Sequence, residues 1–251
     1  MVNILLTGCS GKMGDAVTAS AEKNKEINIV CGIDIRTDVA RGYPVFKSFD
    51  EVTASDIDVV VDFSNPAVFD DMLAFCKENN IPCIVCTTGL SEEQKNNLYD
   101  ASKEIPVFYS GNMSLGVNLL IELSKTAAKI LGDSFDIEII EQHHNQKLDA
   151  PSGTALMIAN AIKDQLDRET HYEYDRHVKR ERRDKAEIGI HSVRGGTIVG
   201  EHQVIFAGND EIVTISHSAR SKALFATGAL NAAIFMKDRQ AGLYDMSDMI
   251  K

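Results

Sequence analysis

The sequence predicts an α/β protein. Its first half reads as a Rossmann-type, doubly wound parallel sheet, and its second half as an α+β domain with a largely antiparallel sheet. Three features point there. Between residues 2 and 110, short continuous runs rich in Val and Ile alternate with helical patterns, as strands covered on both faces do. The stretch Gly8-Cys9-Ser10-Gly11-Lys12-Met13-Gly14 joins the first run to the first helix. After about Leu115 an alternating strand appears, and two later runs flank Gly208-Asn209-Asp210, a hairpin signal.

Taken in order, Val2–Thr7 is a strand, and a helical stretch runs from the glycine loop through Asn24. Ile27–Asp34 and Asp58–Phe63 are the next strands. Pro66 opens a helix reaching about Asn79, since proline suits a first helical turn. Pro82–Thr87 is a strand, Ser91–Ser102 a helix and Pro106–Ser110 a strand. A helix over Gly116–Leu131 leads into the alternating strand Phe135–Gln142. A polar loop follows, then a helix from Ser152 to about Leu166. The stretch Asp167–Lys185 mixes both charge signs and reads as a solvated loop or helix face. Ile188–Val193, Thr197–Ala207 and Glu211–Ser218 are strands, and Lys222–Lys237 is an alanine-rich helix. The expected domains are a dinucleotide-binding one over 1–115, with 222–251 packing back on it, and a substrate-binding and oligomerisation one over 116–221.

At 251 residues there is material for two small cores. The formal net charge of −11 argues against nonspecific nucleic-acid binding, which needs a basic surface. No apolar run approaches the ~20 residues that span a bilayer. The N-terminus has no basic segment before its first apolar run, so it is not expected to be a signal peptide. Of the five cysteines, Cys83 and Cys86 have C-x-x-C spacing. They lie on a strand that points them to opposite faces, and no second pair follows. Reduced structural cysteines, no metal and a cytoplasmic setting are the expectation.

The glycines at 8, 11 and 14 suit a tight turn, a close approach of backbone to a pyrophosphate and close helix–sheet packing. The helix start offers N–H groups and the positive end of a dipole to phosphate. Asp34 closes the second strand, where an acid would bond an adenosine ribose. Lys12 and Arg36 fall near that ribose and would suit NADPH or be plain surface charges. The residues therefore point to NADH, NADPH or both. A second cluster spans Glu141–Ala155, leaving a strand and entering a helix. Ser152, Gly153 and Thr154 put N–H groups and hydroxyls at a helix start, a ready carboxylate site. Lys147 adds positive charge, and His143 and His144 titrate near neutrality. By themselves these residues leave a catalytic site and a plain helix cap both open.

Glu141–Ala155 resembles, almost residue for residue, the signature E-x-H-H-x-x-K-x-D-A-P-S-G-T-A of the dihydrodipicolinate (4-hydroxy-tetrahydrodipicolinate) reductase family of diaminopimelate and lysine biosynthesis. Further matches are Gly8–Gly14, Thr87-Thr88-Gly89, Asn112–Asn118, Arg194-Gly195-Gly196, Gly200-Glu201-His202 and His217–Ala229, so the resemblance covers essentially the whole chain. It departs from the pattern at Cys86 (often Gly), Gly111 (Ala), Met113 (often aromatic) and Lys222 (Arg). The resemblance implies that His143 is the general acid that protonates the substrate after hydride addition, with Lys147 as its partner. It implies a substrate-carboxylate pocket of His144, Ser152, Gly153 and Thr154, with Lys222 as a further contact. Gly8, Ser10, Gly11, Lys12, Met13, Gly14, Asp34, Arg36, Thr87, Thr88, Gly89, Ser110, Asn112 and Met113 are the implied cofactor contacts. It further implies closure of the two domains over a small dicarboxylate, and a homotetramer.

Two rivals are weaker. Tyr99-Asp100-Ala101-Ser102-Lys103 mimics the Y-x-A-S-K pair of short-chain dehydrogenases. It comes too early in the chain, and Pro106 follows at once, so a helix surface is the better reading. A non-enzymatic dinucleotide sensor would have no need to keep His143 and Lys147.

Overall fold

The computed structural model describes residues 1–250; Lys251, the end of the expected returning tail, lies outside them. In chain order the elements are β1 (Val2–Thr7), α1 (Lys12–Ala21), β2 (Ile27–Ile33), β3 (Val45–Phe46), β4 (Val59–Asp62), α2 (Pro66–Asn79), β5 (Cys83–Val85), α3 (Glu92–Ala101) and β6 (Pro106–Tyr109). They continue with α4 (Leu115–Leu131), β7 (Asp136–His143), α5 (Gly153–Lys163), β8 (His171–Glu173), β9 (Glu187–Arg194), β10 (Gly200–Ala207), β11 (Ile212–Ala219), α6 (Ala223–Met236) and β12 (Gly242–Tyr244). The chain divides into two compact units: Met1–Ser114 with the segment from Lys222 onward, and Leu115–Ser221.

The first unit holds a seven-stranded sheet in the order β3-β2-β1-β4-β5-β6-β12. Every pairing in it is parallel. The order reverses direction at β1 and β4, the switch point where such sheets open a crevice at their carboxyl ends. Each strand is apolar throughout because both faces are buried. Ile4, Leu6, Val59 and Val61 face Val17 of α1 and the alanines of α6. Leu5, Val60, Cys83 and Val107 face Phe69 and Met72 of α2 and Leu98 of α3. Cys83 and Cys86 accordingly pack in different cores. All five cysteines are free thiols, and burial pushes Cys31 up to about 11. Such thiols are poor nucleophiles and poor ligands. Gly228 lets α6 approach closely, because a Cβ there would lie 1.7 Å from the Met113 carbonyl oxygen. The short edge strands β3 and β12 have no expectation in the sequence; two or three residues leave no readable period.

The second unit holds a five-stranded sheet in the order β11-β10-β7-β9-β8. The fold class stands, but this sheet is mixed rather than largely antiparallel. β10 runs antiparallel to β7 and β11, whereas β9 runs parallel to β7 and β8. Alternation says which face a residue takes, not which way a neighbour runs. The direction follows from the long connection between β7 and β9, which carries α5 and so acts as a crossover. Gly208 donates its N–H to the Glu211 carbonyl in the β10–β11 hairpin, as the Gly208-Asn209-Asp210 signal predicts. Helices α4 and α5 cover one face, packing Val117, Leu120, Ile158 and Ile162 against Ile137, Ile139, Val204 and Phe206.

The charged stretch 167–185 is not a free-standing solvated face. It forms β8 and straps the sheet. Arg183 bonds Glu138 at 2.9 Å and Asp136 at 3.2 Å, Arg176 pairs with Glu187, and Lys179 with Glu173. Opposite charges on β7 and β9 absorb the basic residues, which composition alone does not reveal.

Candidate active site

The buried face of β7 changes character along the strand. Its inward positions are Ile137, Ile139, Glu141 and His143, so the apolar row ends in a carboxylate and an imidazole. β10 does the same in reverse, with His202 before Val204 and Phe206. The register places Glu141 opposite His202 and opposite Ser192, and His143 opposite Arg194. A polar cluster therefore caps one end of the second unit's hydrophobic core.

Glu141 has no exposed surface and is the hub of the cluster. Arg194 donates to both of its oxygens, at 2.7 and 2.8 Å. The His143 Nδ1 lies 2.6 Å from Oε2, and the Ser152 N–H donates to Oε1 at 3.1 Å. Burial pushes the carboxyl up, but bonds from Arg194, Ser192, His143 and Ser152 outweigh it and bring it down to about 2. Glu141 is therefore an anion at any working pH. His143 is 9% exposed, and burial holds its pKa below the ordinary value despite Glu141. His202 packs edge-on to it, ring centroids 5.3 Å apart, and its Nε2 lies 3.2 Å from the Ser152 Oγ. Burial, with His143 beside it, drives His202 down to about 4, so it is neutral near pH 7. His217 pairs directly with His202 on β11, and burial lowers it too.

The helix start is built as an anion cradle. Ser152 is the N-cap of α5, its hydroxyl accepting from Ala155 N–H at 3.2 Å. Gly153 and Thr154 form the first turn. The cradle already holds a carboxylate: Asp149 bonds Lys147 Nζ at 2.8 Å and accepts the Gly153 N–H. Both contacts lower its pKa. His144 follows His143 off the strand, with a buried Nδ1 that has no partner.

In the first unit the glycine loop has the shape the sequence suggests. Gly8 sits at φ +70°, and a Cβ there would meet the Phe63 carbonyl oxygen at 2.4 Å. A Cβ on Gly14 would lie 2.2 Å from the Cys9 oxygen. Gly11 precedes α1, and no side chain caps the helix. Asp34 accepts Ser10 N–H at 2.9 Å and Arg36 N–H at 3.0 Å, and Ser10 Oγ donates to the Arg36 carbonyl at 2.8 Å. A cavity of about 890 Å³ opens here, lined by Gly8, Gly11, Asp34, Arg36, Phe49 and Phe75 among others. An uncapped helix start, a glycine loop that lets the backbone approach closely and an acid at the end of β2 fit a dinucleotide.

Lys12 and Thr88 are exposed, Met13 is half-buried, and Gly89 sits at φ +81°. Thr87 Oγ1 is buried without a partner. Ser110 and Asn112 close a tight turn, Ser110 Oγ donating to the Asn112 carbonyl at 2.9 Å. The Met113 side chain lies in the core. Lys222 is exposed at the start of α6 in the first unit. Tyr99 is on the outer surface of α3, with Lys103 bonded to Asp100. Sequence reasoning did not single out Glu141, Arg194, His202 or His217 as site residues. Period-two alternation was the available signal: Glu141 and His202 fall on inward positions of strands whose other inward residues are aliphatic.

The comparisons with known proteins cover both units. Residues 2–113 match the family described as dihydrodipicolinate reductase, N-terminus, and residues 116–250 match dihydrodipicolinate reductase, C-terminus. The chain is 51% identical over 251 residues to the 4-hydroxy-tetrahydrodipicolinate reductase of Caldanaerobacter subterraneus subsp. tengcongensis, covering all of this chain and 99% of that one. It is 47% identical to the Clostridium novyi protein of the same name, over 100% and 99% of the two chains. Among solved structures, a dipicolinate-bound dihydrodipicolinate reductase from Paenisporosarcina sp. TG-14 superposes with a TM-score of 0.82 at 25% identity, covering 100% of both chains. A myo-inositol dehydrogenase from Corynebacterium glutamicum, at 18% identity and a TM-score of 0.59, shares the fold.

Proposed function

Because the chain belongs to the 4-hydroxy-tetrahydrodipicolinate reductase family, NAD(P)H oxidoreductases of lysine biosynthesis, we propose that its second unit binds the dicarboxylate and supplies the proton from His143. The observation that carries this reading is the cradle beside that histidine. Lys147 and the first turn of α5 hold a carboxylate, that of Asp149, in the structure itself. A substrate carboxylate presents the same chemistry, and Ser152, Gly153, Thr154 and His144 surround its place.

The reduced nicotinamide, when bound, would supply a hydride to the conjugated C=C–C=N ring that remains once the 4-hydroxyl of the substrate has left as water. Gly8, Ser10, Gly11, Lys12, Met13 and Gly14 would hold the phosphates, and Asp34 and Arg36 the adenosine ribose. Thr87, Thr88, Gly89, Ser110, Asn112 and Met113 would border the nicotinamide end, with Lys222 a further substrate contact. The chain's own work is then electrostatic and protic. Lys147 and the α5 N-terminus neutralise the substrate's carboxylates and the negative charge that gathers at its nitrogen end. The His143 Nε2 donates a proton to the reduced ring. Burial disfavours the imidazolium, and a bound dianion opposes that by favouring it. We further propose that the protein works in the cytoplasm, where its free thiols stay reduced. Its second sheet would build a homotetramer; exposed Val193 and Ile212 on that sheet support this.

His143→Gln, assayed by loss of nicotinamide absorbance with 4-hydroxy-tetrahydrodipicolinate, is expected to slow turnover on the order of a hundredfold or more. NADPH affinity should stay near normal. Unchanged turnover would remove His143 from the proton step.

A further inference from the structure

We propose that Glu141 is a positioning residue that fixes His143 with Nδ1 protonated and Nε2 as the one atom that gains and loses the catalytic proton. The inference rests on His143 being the proton donor.

The geometry leaves His143 a single orientation. Its Nδ1 is 2.6 Å from a carboxylate oxygen of Glu141, and a carboxylate that stays ionised can only accept. Nδ1 must therefore carry hydrogen whether or not the ring is charged. The opposite nitrogen is given room: a Cβ on Gly200 would lie 3.1 Å from His143 Nε2. Glu141 in turn cannot swing away. Arg194 grips both of its oxygens, and Arg194 is itself tied to the Asp149 carbonyl at 2.6 Å. The Ser152 N–H holds Oε1 from the start of α5. One carboxylate thus joins the proton donor, the strand β9 and the helix end that forms the anion cradle. Moving the cradle moves the imidazole with it, so proton and substrate stay in register.

The charges facing His143 make the same point. Lys147 from the loop after β7 and Arg194 from β9 oppose its protonation. His202 from β10, backed by His217 from β11, packs against the ring and is neutral near pH 7. Glu141 from β7 is the anion that favours the imidazolium. Asp149, in the loop after β7, pairs with Lys147; removing the charge of Glu141 while keeping its shape leaves Arg194 beside the ring without its carboxylate partner.

Glu141→Gln tests this through the pH profile of kcat. The limb that falls as pH rises is expected to move at least one unit to lower pH. At pH 7.5 kcat should drop tenfold or more, with KM for the dicarboxylate changed less than threefold. Glu141→Asp, which keeps the charge, should restore part of the limb's position. An unmoved limb, or a loss confined to KM, would overturn the proposal. Because Gln beside Arg194 can hinder folding, nitrogen-15 histidine spectra of the unaltered protein give a second measurement. The His143 resonances, assigned by their absence in His143→Gln, should show the Nδ1–H form above the ring's pKa, and the Nε2–H form would overturn it. Unchanged turnover in His143→Gln defeats the acid reading itself. Slow turnover there with an unmoved limb in Glu141→Gln defeats only the role of Glu141.

Discussion

At the scale of single residues, the site concentrates groups whose burial costs free energy unless each is answered. Glu141 is answered four times over, while His202 is answered by staying neutral. Both depressed values have a consequence for stability. Between pH 6.5 and about 4 the unfolded chain protonates His202 and the folded one does not, so the unfolded state binds more protons and stability falls on acidification. Glu141 adds its share between its ordinary 4.5 and about 2, where stability is lost as its carboxylate protonates. His143 and His217, also lowered, act in the same sense as His202. His202→Gln is therefore expected to flatten, without abolishing, the decline of the melting temperature between pH 6.5 and 4. A thermal-melt series across that range would show it, and an identical slope in the variant would contradict the assignment.

At the scale of elements, the loop from β1 into α1 is held by backbone fit more than by side chains. Its anionic partner Asp34 ties Ser10 to the end of β2. Each Asp34 oxygen has accepted one N–H and keeps a lone pair for a ribose hydroxyl. A 2′-phosphate in that place would meet repulsion. Asp34→Ala is expected to weaken NADH binding more than NADPH binding when both are titrated by fluorescence. Equal losses would mean that the carboxylate touches only the loop.

At the scale of the molecule, the second unit's sheet has α4 and α5 on one face, and the opposite face carries Val193 among its exposed residues. Light scattering is expected to give a mass four times 27.5 kDa, and a monomer at micromolar concentration would refute the proposed tetramer. One edge of each sheet is blunted. β12 ends the first sheet with three residues, and Arg239 stacks over Phe235 at 3.9 Å beside it. The ion-paired strap around β8 ends the second. Short or charged edges resist adding further strands.

Much of this is legible in the sequence. Continuous Val and Ile runs gave a sheet buried on both sides, because only such a sheet needs apolar residues at every position. The glycines at 8 and 14 announced backbone contacts too close for a Cβ, and Ser152 announced a helix start. Local chemistry decides those matters, and local chemistry is written in adjacent residues. The direction of β9 was not legible, since alternation is blind to it. Nor was the fate of the basic residues near Arg183, whose partners on β7 lie some forty-five positions away. Arg194 and His202 join Glu141 and His143 only through strand register, and register is set by packing the whole sheet against α4 and α5. The sequence by itself determined the fold class and which residues are candidates for anion binding and proton transfer. Tertiary structure alone decided that Arg194 and the start of α5 hold the carboxylate behind that imidazole, because both reach it from distant parts of the chain.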